Sequence, residues 1–261
     1  MSTPQYTDHH APSGLATRGT VLFVPGRGET RATYERFGRR LAVDAYRVRV
    51  VDAPDLDAED LPAALARFGA ALAEAAEGTA PDGAEGFVRP LVLAGADTGA
   101  LAIAALLGRP EAAGDARPDA VVLAGLPGRS EARPGAGTWD GELDVRTSCP
   151  THRARLTDDS LFRRGALDGP VPEALLTAAY EGEVAVPALL LTGDADPLAD
   201  REPLDRAVKA WPQTRLAAVR GGHHDVLNDL QHRSVAAEVV TFLEALRNDL
   251  VPAIAVGASA W

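Results

Sequence analysis

The stretch Leu91-Val92-Leu93-Ala94-Gly95-Ala96-Asp97-Thr98-Gly99-Ala100 decides how this chain reads. A short apolar run enters a glycine-bracketed turn, and a small-residue helical pattern follows over 100–107. The order is strand, tight turn, helix. The spacing is that of a turn of the form G-x-nucleophile-x-G. Glycines are needed there because a strained turn presses its backbone against neighbouring segments. The helix that follows aims its first N–H groups at the same spot. The central residue is Asp, so two readings stand. Asp97 is the reactive group of such a turn, or it caps a helix after an ordinary glycine-rich bend.

Working outward, similar apolar runs lie at 21–24, 46–51, 120–124, 188–191 and 216–219. Amphipathic patterns separate several of them. Tyr34, Phe37 and Leu41 share one helical face; Leu61, Leu65, Phe68 and Leu72 share another; Val235, Val239, Phe242 and Leu246 mark a last helix. Alternating strands and helices, with runs too apolar to be half-exposed, predict an α/β protein with a mostly parallel sheet covered on both faces. Segment 127–183 breaks the rhythm. It is rich in Gly, Pro, Arg and Asp, with short helical pieces near 159–162 and 172–180, and its length predicts a cap or lid within one domain spanning 1–261. Residues 1–17 read as a mobile arm and 78–89 as a surface loop. The apolar tail 250–261 reads as packing on the body or on a second copy, which allows a homodimer.

Composition bounds the function. The chain has 261 residues, 46% of them hydrophobic and 24% charged, enough for one sizeable core. Its formal net charge of -11 argues against nucleic acid as a partner. One cysteine, Cys149, excludes a disulfide framework and a four-cysteine zinc site. No basic, apolar leader opens the chain, and no run approaches the roughly 20 apolar residues of a membrane span. The expectation is a soluble, cytoplasmic protein without metal or organic cofactor, acting on a small molecule.

In an open parallel sheet, ligands bind at the carboxyl ends of the strands. After 188–191 comes Thr192-Gly193-Asp194-Ala195-Asp196-Pro197, two acids that serve either a site or an Asx turn. After 216–219 comes Arg220-Gly221-Gly222-His223-His224-Asp225-Val226-Leu227-Asn228-Asp229. After 21–24 comes Pro25-Gly26-Arg27-Gly28-Glu29, whose glycines can free N–H groups toward an anion. The order glycine turn, central residue, acid, His is that of the α/β-hydrolase fold.

The sequence resembles that superfamily over about 19–246, and within it the lysophospholipase and monoacylglycerol-lipase branch. Pro25-Gly26-Arg27-Gly28-Glu29, leading to Tyr34, resembles the H-G-x-G-E motif of that branch and its Tyr helix. Leu189-Leu190-Leu191-Thr192-Gly193-Asp194-Ala195-Asp196-Pro197 resembles the acid motif, and His224 through Asp229 resembles the H-E-x-x-N-E block. The resemblance implies Asp97 at the nucleophile position, Asp196 as acid and His224 as base, with Asp194 and His223 as second choices. It implies backbone N–H groups of Arg27 and Thr98 as an oxyanion hole, and Gly26, Trp139 and Phe162 as substrate-binding. Pro25 replaces the opening His of the family, and Asp97 replaces its Ser.

A carboxylate at that position attacks an sp3 carbon well. Opening an epoxide or displacing a halide would leave an alkyl ester on Asp97, which His224 and water would hydrolyse. This is similar to the epoxide hydrolases and haloalkane dehalogenases of the superfamily. The sequence departs from both: Thr98 stands where a halide-binding Trp would follow the nucleophile, and the expected cap offers only Tyr180. On an ordinary ester Asp97 would form an anhydride or act as a base on water. Non-hydrolytic chemistry, or ligand binding without turnover, is the alternative. A metal centre built on His223, His224, Asp225, Asp194 and Asp196 is disfavoured. Arg27 reads either as a solvated side chain or as a group at the site mouth that favours an anionic substrate. His9, His10, His152 and His232 read as surface residues.

Overall fold

The computed structural model describes residues 6–56, 59–81, 85–109, 117–129, 137–254 and 257. Seven strands form one sheet in the order β1-β3-β2-β4-β5-β6-β7. They are β1 (Thr7–His9), β2 (Gly19–Val24), β3 (Tyr46–Val50), β4 (Leu91–Ala96), β5 (Ala120–Ala124), β6 (Ala188–Gly193) and β7 (Thr214–Val219). All neighbouring pairs are parallel except β1 with β3. The helices are α1 (Glu35–Val43), α2 (Leu61–Ala76), α3 (Asp97–Leu107), α4 (Trp139–Arg146), α5 (Pro150–Asp158), α6 (Glu173–Glu181), α7 (Arg201–Ala210) and α8 (His232–Leu246).

Alternation along the strands builds a core on each face of the sheet. Leu22, Val24, Leu91 and Leu93 point to the side covered by α2, α3, α6 and α7. Val21, Phe23, Val92 and Ala94 point to the side covered by α1 and α8. Both sets are buried, which is why these runs read as continuously apolar rather than alternating.

Three sequence expectations need correction. The segment read as a mobile arm contains β1. Its Asp8 accepts from Arg47 at 3.0 Å and from Arg49 at 2.8 and 2.9 Å, so two nearly buried arginines of β3 gain a counter-charge only when β1 pairs. The β5–β6 excursion is helical at α4, α5 and α6, and 159–162 is a turn after α5. At the starts of these helices the Thr138 hydroxyl accepts from Gly141 N–H at 3.1 Å, and Pro150 opens α5. His152 and His9 are buried, not surface residues. Of the expected surface loop, 82–84 lie outside the described residues. So do most of 255–261; Val251 and Ile254 are exposed in this chain. Among the described residues no helix is long and apolar enough to cross a membrane, and no cluster suits a metal ion.

Candidate active site

Asp97 sits where β4 ends and α3 begins, with φ of +48°. A non-glycine residue there is a sparsely populated conformation, held by its surroundings. Gly99 shows how tight those surroundings are: a Cβ on it would lie 2.4 Å from the Pro25 carbonyl oxygen and 2.6 Å from that of Val24. The turn thus presses α3 against the end of β2 and pushes the Asp97 side chain toward the loop that follows β2. Gly26 belongs to that contact, since a Cβ there would lie 2.6 Å from the Cβ of Asp97.

Three strand ends converge on one chain of hydrogen bonds. His224, after β7, has Nε2 3.2 Å from Asp97 Oδ1 and Nδ1 2.9 Å from Asp196 Oδ2. All three side chains are buried. Asp196 also accepts from the Leu198 N–H at 2.9 Å, which fixes its second oxygen. Asp194 instead is exposed and caps the turn at Gly221 N–H, at 2.6 Å. His223 turns to Asp229, 2.9 Å away. The structure therefore brings Asp97, His224 and Asp196 together and leaves Asp194 and His223 outside.

The loop after β2 completes the site. The Arg27 backbone N–H donates to Asp97 Oδ2 at 2.8 Å. The Arg27 side chain then returns to the same carboxylate, with Nε at 2.9 Å from Oδ2 and Nη2 at 2.9 Å from Oδ1, and its Nη1 donates to the Gly169 carbonyl at 2.9 Å. This is a fork-to-fork pair, the strongest geometry available to these groups. The Thr98 hydroxyl lies 3.5 Å from Asp97 Oδ2, a marginal contact.

Electrostatics follow from this packing. Burial alone would raise the Asp97 pKa, but Arg27 and then His224 outweigh it and hold the carboxyl well below its usual range. Burial would likewise push the His224 imidazolium down. Asp196, joined by Asp97, overcomes that and lifts it to about 10. The His224 ring thus stands between the side chains of Asp97 and Asp196, with the Arg27 guanidinium on the far side of Asp97.

Behind this layer lies a buried ionic cluster that sequence reading missed. Arg146 of α4 is fully buried. It donates to Glu142 at 2.9 and 3.1 Å, to Asp225 at 3.4 Å and to the Arg27 carbonyl at 2.7 Å. Asp225 also pairs with His152 of α5, at 2.9 Å. Glu29 accepts from the Gly26 N–H at 2.7 Å and the Tyr34 hydroxyl at 2.5 Å. Burial and the neighbouring Asp225 push Glu29 up to about 7, against the pull of Arg146. Asn228 donates to the Thr33 carbonyl at 3.2 Å, and Asp229 accepts from Thr147 at 2.8 Å and from the Ser148 N–H at 2.9 Å. The polar residues after His224 thus fasten the β5–β6 excursion and the β2 loop to one frame.

Trp139 and Phe162 do not reach Asp97 by any recorded bond. They pack on each other, ring centroids 5.5 Å apart, with Leu143 and Leu156 as the small core of the excursion. The Phe162 face carries the Arg146 guanidinium at 4.9 Å. The Tyr180 hydroxyl donates to the Pro127 carbonyl at 3.0 Å. Cys149 is a buried free thiol.

No protein-family model matches the chain, and no curated protein matches it in sequence. Solved structures do match. A monoacylglycerol lipase from Paleococcus ferrophilus superposes with a TM-score of 0.69 at 16% identity, over 94% of this chain and 99% of that one. A carboxyl esterase from Bacillus coagulans gives 0.68 at 15%, over 92% and 93%. A monoglyceride lipase from Saccharomyces cerevisiae, a soluble variant bound to a substrate analog, gives 0.66 at 15%, over 92% and 91%. At such identities the likeness speaks for architecture, and with the parallel sheet and its flanking helices it establishes that this chain has the α/β-hydrolase fold.

Proposed function

We propose that the chain is a hydrolase of small organic molecules in which Asp97 is the nucleophile, His224 the base and Asp196 the residue that orients the base. One observation carries this reading: the Arg27 N–H, the donor expected to hold an oxyanion, lies 2.8 Å from Asp97 Oδ2. In a Ser enzyme that donor would await the substrate carbonyl. When the nucleophile is a carboxylate, the oxyanion forms on the enzyme itself. Oδ1 attacks an sp3 carbon, the bond from that carbon to its leaving group breaks, and the leaving group departs with the electron pair. Water then adds to the carboxyl carbon of the resulting ester. The negative charge collects on Oδ2, already in the reach of its donor. Collapse expels the alcohol and restores the carboxylate.

His224 fits the second step. Esterification removes one of the two anions that hold its proton, so the imidazolium gives that proton up to solvent and the neutral imidazole then takes one from the attacking water. Asp97 as a general base is a poorer reading, because a carboxyl held below its usual range is a weak base. The reading favours carbon–halogen or epoxide substrates over ordinary esters. The β5–β6 excursion serves as cap over this site, anchored through the Gly169 contact with Arg27.

A second reading, a small-molecule-binding member of the fold without turnover, draws on the fact that both Asp97 oxygens are already engaged by Arg27. Intact mass separates the two. A His224→Gln variant incubated with haloalkanes, epoxides and esters should gain the mass of one alkyl group from a haloalkane or of the whole epoxide from an epoxide, mapping to Asp97. Unchanged mass with every compound, together with wild-type protein that turns none of them over, would favour the binding reading.

A further inference from the structure

We propose that the Arg27 side chain is the receptor for a carboxylate on the substrate, so that the site acts on organic acids whose electrophilic sp3 carbon stands one or two bonds from the acid group. This rests on the reading of Asp97 as nucleophile. The starting point is a conflict. Asp97 Oδ1, the oxygen free of the backbone donor, carries Arg27 Nη2 at 2.9 Å and His224 Nε2 at 3.2 Å. It cannot approach a carbon until the guanidinium moves aside.

Three observations say what moves it. First, Arg27 is the outermost group of the site: its side chain is 15% exposed, against 4% for Asp97, 1% for His224 and 0% for Asp196. A molecule arriving from solvent meets the guanidinium first. Second, the fork is already shaped to a carboxylate, since Nε and Nη2 grip the two oxygens of Asp97 in parallel. A substrate carboxylate can take that place bond for bond. Asp97 would then keep the Arg27 backbone N–H and His224 as partners, so it stays ionised and aimed.

Third, esterification removes the charge of Asp97. Among the described residues Asp97 is the only carboxylate recorded on Arg27, so a neutral substrate would strand a mostly buried guanidinium. A substrate that brings its own carboxylate keeps it paired through both steps. The arm has fixed supports on either side of the exchange, Arg146 on its backbone carbonyl and Gly169 on Nη1. Because one residue supplies both the backbone donor and the fork, the exchanged carboxylate stays close to Oδ1. The attacked carbon must therefore lie near the acid group. With a 2-halo acid, the Oδ1–carbon bond forms as the carbon–halogen bond breaks, and halide leaves with the electron pair. Water then adds to the ester as its proton passes to the neutral His224, and the imidazolium so formed returns that proton to the departing oxygen of the 2-hydroxy acid.

The test compares 2-bromobutanoate with 2-bromobutanamide in the His224→Gln protein, reading the rate of alkylation at Asp97 by peptide mass. The acid should label about 100-fold faster than the amide, the scale set by leaving a buried charge unpaired. In the same protein carrying Arg27→Met the ratio should fall to about one, whereas Arg27→Lys, which keeps charge but not the fork, should retain part of it. Taking the ratio within each variant removes any general loss of reactivity. Equal labelling by acid and amide with Arg27 in place would overturn this proposal and leave the nucleophile standing. An acid preference that survives both Arg27 variants would place the receptor elsewhere and overturn it as well. Failure of both compounds to label Asp97 would remove the nucleophile and this proposal together.

Discussion

His224 stands between two carboxylates, and its proton is part of the fold. Its pKa in the folded chain is about 10, against an ordinary value near 6.5. A raised value means that the stabilisation is fully present below the unfolded pKa and fades as pH climbs through the folded one. Asp97 has the opposite sign. Its depressed pKa stabilises above the ordinary carboxyl range and is lost only in strong acid. The wild type should therefore lose stability between about pH 6.5 and 10, by a few kcal/mol. A His224→Gln protein, with nothing to titrate there, should show a shallower slope in urea unfolding over the same range. Parallel curves would mean that the imidazolium is not held by this pair. The positions of Asp97, Asp196 and His224 were legible because each directly follows an apolar run that ends at the same sheet edge. The choice between adjacent candidates was not: Asp194 differs from Asp196 only in which side of a turn it faces. Nor was the return of the Arg27 side chain onto Asp97, a contact across 70 residues.

Elements of this chain were legible in proportion to the apolar surface they bury. The strands and α1, α2, α3 and α8 lie against a two-faced core and announce it by periodicity. The helices α4 and α5 bury as many polar side chains (Glu142, Arg146 and His152) as apolar ones (Leu143, Val145 and Leu156), so their pattern carries no continuous apolar stripe to read. Their energetics are ionic instead. Arg146 joins α4 to the β2 loop and to the loop after β7. Removing one member of such a cluster leaves buried charges uncompensated, which costs about 3–5 kcal/mol. Arg146→Met should show a loss of that size in chemical denaturation, and the β5–β6 excursion should become the first region cut by a protease. A loss below about 1 kcal/mol would mean that Arg146 is not the tie between these elements.

At the scale of the whole molecule, the sheet and its two covered faces were readable from six apolar runs, and the seventh strand was not. β1 is three residues long and depends on Asp8 meeting Arg47 and Arg49, a pairing that no local pattern encodes. The fold places a site without choosing its chemistry. That choice lies in one residue at one strand end, where this chain carries a carboxylate. A covalent ester on Asp97 leaves its mark in the fate of oxygen. Protein in excess over a 2-halo acid, in water enriched in oxygen-18, performs one turnover. The first product should carry ordinary oxygen taken from Asp97, with the heavy isotope appearing in the peptide that contains Asp97. Heavy oxygen in the first product, and none in that peptide, would mean that water attacks the substrate directly and that Asp97 is not the nucleophile.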